Sequence, residues 1–314
     1  MSDGAMSEGA SSEVREEYPG LTRVLPDRAE VPTADLCADY RRLRGLRVDM
    51  ITSVDGGAAL GSISAGLSDP VDQWHMDLLR RVCDVLIVGA GTLRDEGYGP
   101  MRVRPASVAW RRAHGLPDHP VLAILSASLD LPAGAGFLAA DCDDVPHPIV
   151  LTCRPGAGGA SGAGDAGGAA AQEWERRAER LATSGRGVEV VECARAADAP
   201  GSAGAPRARV DLTDALRRLA GRGLTHQLCE GGPAVMGALV AADAIDELCL
   251  AVSPTLVGAG APRIVGEAPA HAGHSGHAVP PVPPVPPVPL TLVHLLTHGD
   301  LLLSRWARAA GTRG

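Results

Sequence analysis

Apolar positions along this chain follow two periods, and their alternation sets out the fold. Leu46–Thr52 reads as a strand, and Asp84–Val88 (Asp-Val-Leu-Ile-Val) is the continuous apolar run of a strand covered on both faces. Further strands are expected at Pro120–Leu125, Pro148–Thr152, Val188–Val191, Gly223–Cys229, Glu247–Val252, Leu290–Leu295 and Leu301–Trp306. Between them lie helical segments. Ser68-Asp69-Pro70 caps one that runs through Val82, and others fall at Gln172–Thr183 and Asp211–Ala220. Pro233 suits a first helical turn and Ala234 to Ala242 continues it. His298-Gly299-Asp300 joins the last two strands as a hairpin. The pattern predicts an α/β fold: a mixed, mostly parallel sheet flanked by helices, with a C-terminal antiparallel hairpin.

Other segments lack such periods. Residues 1–20 are acidic and polar and read as a disordered tail, and 21–45 as a lead-in with a short helix around Thr33–Arg44. Stretches near 156–171, 194–208 and 270–289 are low in complexity and read as surface insertions. Val279–Pro289 repeats Val-Pro-Pro and suits polyproline II, as a stiff connector or an SH3-type ligand. His271, His274 and His277 lack a neighbouring Cys or carboxylate cluster, so no metal site is expected.

Composition narrows the chemistry. Among 314 residues there is no lysine and no asparagine, which excludes a Walker-type phosphate loop, a lysine Schiff base and a lysine base. A formal charge of −8 and no arginine stripe argue against a nucleic-acid surface. Seven cysteines without a C-x-x-C pair read as reduced thiols, and no signal peptide or membrane-length apolar run is present. The expected setting is the cytoplasm.

Two strand ends carry the candidate chemistry. One is Gly89-Ala90-Gly91-Thr92, the other Cys229-Glu230-Gly231-Gly232-Pro233. In an open α/β sheet both face a crevice at the carboxyl edge, where ligands bind. Glycines and a helix N-terminus suit a phosphate-bearing cofactor, although each turn by itself also reads as an ordinary strand-to-helix connection. Asp55-Gly56 is open in the same way, between a hairpin turn and a site.

Taken together, Ser53-x-Asp55-Gly56, Asp84-Val-Leu-Ile-Val-Gly89-Ala90-Gly91-Thr92 with Arg94 and Glu96, Glu230-Gly231-Gly232-Pro233 and Asp246-Glu247 resemble the C-terminal reductase domain of the riboflavin-biosynthesis protein RibD, over roughly residues 46–308. The zinc signature of that protein's deaminase partner is absent from the chain. The resemblance implies a dihydrofolate reductase-like fold and a homodimer whose natural interface is the C-terminal strands. It also implies NADPH-dependent reduction of 5-amino-6-(5-phosphoribosylamino)uracil, a small pyrimidine, at the sugar C1. Carried onto this chain, it assigns Ile51, Gly89, Gly91, Thr92, Glu96, Gly231, Gly232 and Pro233 to the cofactor, with Thr92 as cap and hydroxyl donor. Ser126 and Arg154 become candidates for the 2′-phosphate, and Ser68, Arg80 and Glu230 for the substrate. Asp49, Asp55 and Glu230 are the catalytic candidates, while Asp246-Glu247 reads as a turn before a strand.

One departure stands out. Where those reductases carry Lys or a neutral polar residue on the first strand of the domain, this chain has Asp49. By alternation it shares a face with Ile51 and Ser53. An acid there would repel a substrate phosphate or, with a raised pKa, donate a proton. Two other readings therefore stay open: a same-fold NADPH reductase of a pterin, folate or flavin-like heterocycle, and a non-catalytic NADP-binding protein.

Overall fold

A computed structural model describes residues 20–309 except 26, 61–63, 132–135, 139–142, 156–165, 186, 197–208 and 267–286. The N-terminal tail before Gly20, most of the three insertions and His271, His274 and His277 thus lie outside the described residues.

The chain opens with β1 (Thr22–Leu25), β2 (Ala29–Glu30) and α1 (Thr33–Tyr40), followed by β3 (Gly45–Ser53), α2 (Pro70–Val82), β4 (Val85–Gly89) and α3 (Ala90–Asp95). Next come α4 (Pro105–Ala113), β5 (Val121–Leu125), β6 (Ile149–Thr152), α5 (Ala166–Thr183), β7 (Glu189–Glu192) and α6 (Leu212–Gly221). The chain continues with β8 (His226–Cys229), α7 (Pro233–Ala241), β9 (Glu247–Ser253), β10 (Leu290–His298) and β11 (Leu301–Arg308). All eleven strands join one sheet in the order β2-β1-β10-β11-β9-β3-β8-β4-β5-β6-β7. From β9 to β7 every pairing is parallel; from β9 outward through β11, β10, β1 and β2 every pairing is antiparallel.

The expected strands and hairpin are present, with Gly299 at φ +55° in the turn. Three regions differ. The lead-in supplies the two outermost strands at one end of the sheet, which its sparse apolar positions did not announce. Helix α4, started by Pro105, has no counterpart among the expected elements. Helix α5 begins at Ala166, inside the stretch expected to be an insertion, because alanine sustains a helix through Gly167 and Gly168. Asp69 caps α2 as its position predicts, accepting from the N–H groups of Val71 and Asp72 at 2.8 Å.

Two apolar layers enclose the sheet. On one face Leu86, Val88, Ile124 and Leu228 pack beneath α1, α2, α4 and α5. On the other Val85, Ile87, Leu151 and Cys229 pack beneath α6 and α7. The six described cysteines are buried free thiols. Among the described residues no helix is long and apolar enough to cross a membrane.

Where β3, β9 and β11 meet, charges replace apolar contacts on the first face. Arg47 donates to Glu247 Oε2 from Nε and Nη2, at 3.0 and 2.7 Å. Arg305 donates to Glu247 Oε1 and to Asp39 Oδ2, both at 2.5 Å. Both guanidinium groups lie over the Tyr40 ring. Burial pushes the Glu247 carboxyl up, yet the two arginines outweigh it and hold the group below its ordinary value. Glu247 is therefore a structural anchor as well as the first residue of a strand.

Candidate active site

Parallel pairing brings the carboxyl ends of β3, β8, β4 and β5 to one edge of the sheet, and the two glycine turns lie side by side there. They are bonded to each other. Gly89 N–H donates to the Gly231 carbonyl at 3.0 Å, and Gly232 N–H donates to Thr92 Oγ1 at 2.8 Å. The Gly231–Gly232 peptide is cis, and Gly231 has φ +83°. A Cβ on Gly232 would stand 2.7 Å from Thr92 Oγ1, and one on Gly89 would stand 2.8 Å from Val235 Cγ2. These glycines thus allow the turns to interlock, whereas the sequence suggested that they leave room for a ligand. Gly91 is the member facing open space, with nothing within 4 Å of a Cβ placed there.

Thr92 also differs from expectation. Gly89 is the N-cap of α3, and the Thr92 hydroxyl serves as acceptor for the opposite turn. Gly232 is the N-cap of α7 and Pro233 its first residue, so the first backbone donors facing out of that helix are those of Ala234 and Val235.

On the α2 side of the crevice stands a charged group. Arg80 grips Glu230 with its full fork, Nε to Oε1 at 2.6 Å and Nη2 to Oε2 at 2.5 Å. Tyr98 Oη donates to the same Oε2 at 3.0 Å. The side chain of Glu230 is 6% exposed and that of Arg80 19%. Burial lowers the Arg80 pKa and Glu230 more than reverses this, leaving it above its ordinary value. Burial and the Glu230 charge push the Tyr98 phenol up. Arg80, a substrate candidate from the resemblance, has its guanidinium engaged by Glu230.

Asp49 stands beside this pair. The β3–β8 register matches Arg47 with Leu228 and Val48 with Cys229, so Asp49 falls level with Glu230. Burial pushes its carboxyl well above the ordinary range, the charges of Asp72 and Glu230 add to this, and Arg80 and Arg47 oppose it. Asp72 is raised as well, by burial and then by Asp69 and Glu230, against the hydrogen bond it accepts from Ser68 Oγ at 2.6 Å. Three carboxyls thus stand within electrostatic reach of one another, with Arg80 on Glu230 and Arg47 acting on Asp49.

The remaining candidates form the rim. The Ser53–Gly57 turn closes on β3, and Asp55 accepts from Ser53 Oγ at 2.5 Å and from Gly258 N–H at 2.8 Å. These bonds hold its carboxyl below the ordinary value and tie two loops together. Glu96 accepts from the N–H and hydroxyl of Ser64 at 3.2 and 3.0 Å. Ile51 packs against the first apolar layer below the crevice. Arg154 is paired with Glu175 and Glu192 and stacked on Trp174, away from the glycine turns. Ser126, one residue past β5, has a buried Oγ without a hydrogen-bond partner.

Sequence reasoning missed Asp72 and Tyr98. Asp72 lies four residues after Ser68 and eight before Arg80, on the helical face those two define. Tyr98, between Gly97 and Gly99, was signalled only as one of three tyrosines in the chain.

Comparison with known proteins fits this arrangement. The chain belongs to the RibD C-terminal domain family, whose pattern it matches over residues 44–157 and 169–299. It is similar to a pyrimidine reductase-like protein from Corynebacterium diphtheriae, at 23% identity over 89% of this chain and 99% of that one, with a TM-score of 0.64. It is also similar to RibD from Acinetobacter baumannii (16% identity, 85% of this chain, 58% of that one, TM-score 0.52). A third is the Saccharomyces riboflavin biosynthesis reductase Rib7 (14% identity, 85% and 90% covered, TM-score 0.50). No curated protein matches the sequence. The fold is a mixed α/β class with a mostly parallel sheet, and the family is that of the RibD C-terminal domain.

Proposed function

We propose that this protein is an NADPH-dependent reductase acting on a ribosylamino pyrimidine, with hydride delivered to the sugar C1. The carrying observation is Glu230, held by Arg80 and Tyr98 beside the two interlocked glycine turns. The edge suits a polyhydroxylated, phosphate-bearing cofactor: Gly91 faces open space, α7 presents its first donors, and Ser126 has a buried hydroxyl in need of a partner. Bound NADPH would supply the hydride. Gly91, Thr92, Ala234 and Ser126 would hold it, and Ile51 would floor the crevice. Glu230 then accepts N–H groups of the heterocycle. Asp49, whose carboxyl burial and neighbouring carboxylates push above the ordinary range, is placed to give a proton to nitrogen as carbon takes the hydride.

Asp49 also supports a second reading, reduction of a pterin, folate or flavin-like heterocycle, whose amidine-type N–H groups suit a carboxylate pair. The working form is proposed to be a homodimer through the C-terminal strands, where Leu302 is exposed on β11 and Val24 and Leu25 are exposed on β1, the strand paired with β10. Sedimentation of the purified chain as a monomer at micromolar concentration would refute that. The function is tested by following the nicotinamide absorbance with protein, NADPH and 5-amino-6-(5-phosphoribosylamino)uracil or its ribosyl form. Substrate-dependent oxidation is expected. NADPH binding with no turnover on any heterocycle would leave a binding protein, and no NADPH affinity would overturn the proposal.

A further inference from the structure

A strap of chain after β9 runs along the carboxyl edge of the sheet, and it carries a disengaged cation. The strap is fixed at three points. Val257 and Gly258 N–H groups donate to the Asp55 carboxylate at 3.2 and 2.8 Å. Ala58 N–H donates to the Pro262 carbonyl at 2.7 Å, and Gly266 N–H donates to the Pro233 carbonyl at 3.0 Å. The packing is close: a Cβ on Gly57 would stand 2.3 Å from Val257 Cγ2, and one on Gly237 2.2 Å from the Gly266 carbonyl oxygen. The strap thus links the turn after β3 to the first turn of α7, both of which border the site.

Arg263 lies between the second and third of these points. A Cβ on Gly56 would stand 3.7 Å from its Nη2 and 3.9 Å from its Cζ and Nη1. Those near-equal distances lay the guanidinium across the turn. Gly56 has φ +87°, so the turn needs glycine there and keeps that place clear. Arg263 is exposed and, among the described residues, has no hydrogen bond or ion pair. Asp55, the anion of the turn, is spent on Ser53, Val257 and Gly258. Arg80, by contrast, has both ends of its fork on Glu230. Asp49 lies four residues before Ser53 on β3, about 13 Å inward at the rise of a strand. An anion held by Arg263 therefore stays outward of the carboxyls.

We propose that Arg263 receives a phosphoryl group at the rim of the crevice, either the 5′-phosphate of the substrate or the diphosphate of the cofactor. This rests on the reductase reading and deepens it. A guanidinium presents paired donors in a fork that matches phosphate oxygens. The strap fixes its backbone before any ligand arrives, which reduces the ordering that binding must pay for. Because the side chain is exposed and unpaired, the fold does not depend on it.

The test uses Arg263→Gln and Arg263→Lys, both expected to melt as the wild type does. NADPH is titrated by fluorescence, and 5-amino-6-(5-phosphoribosylamino)uracil and its ribosyl form are titrated into the protein–NADP⁺ complex. Arg263→Gln should weaken a phosphate-bearing ligand about tenfold and flatten the salt dependence of its binding, with Lys restoring part of both. A loss on NADPH assigns the cofactor diphosphate. A loss on the phosphorylated pyrimidine, with the ribosyl form unchanged, assigns the substrate phosphate. Wild-type affinity of Arg263→Gln for both ligands, or an equal loss on the two pyrimidines with NADPH unchanged, would overturn the inference and leave the reductase reading intact. A wild-type protein that binds neither NADPH nor the pyrimidines would overturn both.

Discussion

Two buried arginine–glutamate clusters lie on the same face of this sheet, and their charge balance tells them apart. In one, Arg47 and Arg305 meet Glu247 and Asp39, two cations against two anions, with both Glu247 oxygens bonded. In the other, Arg80 pairs with Glu230, and Asp49 and Asp72 stand within reach of the Glu230 charge with their carboxyls raised. The first holds β3, β9 and β11 together with its charges balanced. The second keeps unmatched carboxyls at the mouth of a crevice, which stability alone would not select. Burial by itself does not distinguish structure from chemistry here; the unmatched charge does.

The contrast is broken most strongly at its anchors. Glu247→Leu strands two guanidinium groups near each other and should cost about 3–5 kcal/mol in denaturant melts, with kcat/KM of the folded fraction within about twofold. Glu230→Gln should cost less, about 1–3 kcal/mol, because Arg80 still reaches water, yet lower kcat/KM by about 100-fold. If the two variants reversed these roles, the division between the clusters would be wrong.

The glycine turns sharpen it next. Gly232→Val drives a side chain into Thr92 and should cost about 1–3 kcal/mol and abolish NADPH binding. Gly91→Ala fills open space within a helical turn, so stability should hold or rise by up to about 1 kcal/mol while NADPH binds about tenfold more weakly. Calorimetry reads both quantities, and unchanged NADPH affinity in Gly91→Ala would remove that turn from the cofactor site.

Asp49 gives a smaller stability effect of opposite sign. An acid whose folded pKa is raised binds its proton more tightly in the fold. Its contribution therefore favours the fold at low pH and is lost as pH rises through the folded pKa. Asp49→Asn should accordingly stabilise the protein at pH 8 by on the order of 1 kcal/mol, with the gain gone below about pH 4. Ser126→Ala is the smallest case. It removes an unpartnered hydroxyl and should leave stability within about 0.5 kcal/mol, while a weakened NADPH affinity would tie that strand end to the cofactor.

The parallel half of the fold was legible because continuous apolar strands such as Val85–Gly89 and capped helices such as α2 carry strong local signals. The outer strands β1 and β2 were not, since short half-exposed strands lack a clear period. At the site, Glu230, Arg80 and Asp49 were legible as separate residues. Their pairing depends on register between β3 and β8 and on the reach of α2, which are long-range facts. The glycine turns were recognised, but the reason for them was not: interlocking is a property of two turns together.

The central claim is that the unmatched carboxyl of Asp49 makes this crevice reactive. Its most direct test is the pH dependence of kcat/KM for NADPH oxidation in the wild type and in Asp49→Asn. The wild type should lose activity as pH rises through the raised Asp49 pKa, and the Asn variant should be slow and flat across that range. An Asn variant with the wild-type rate and profile would contradict the account.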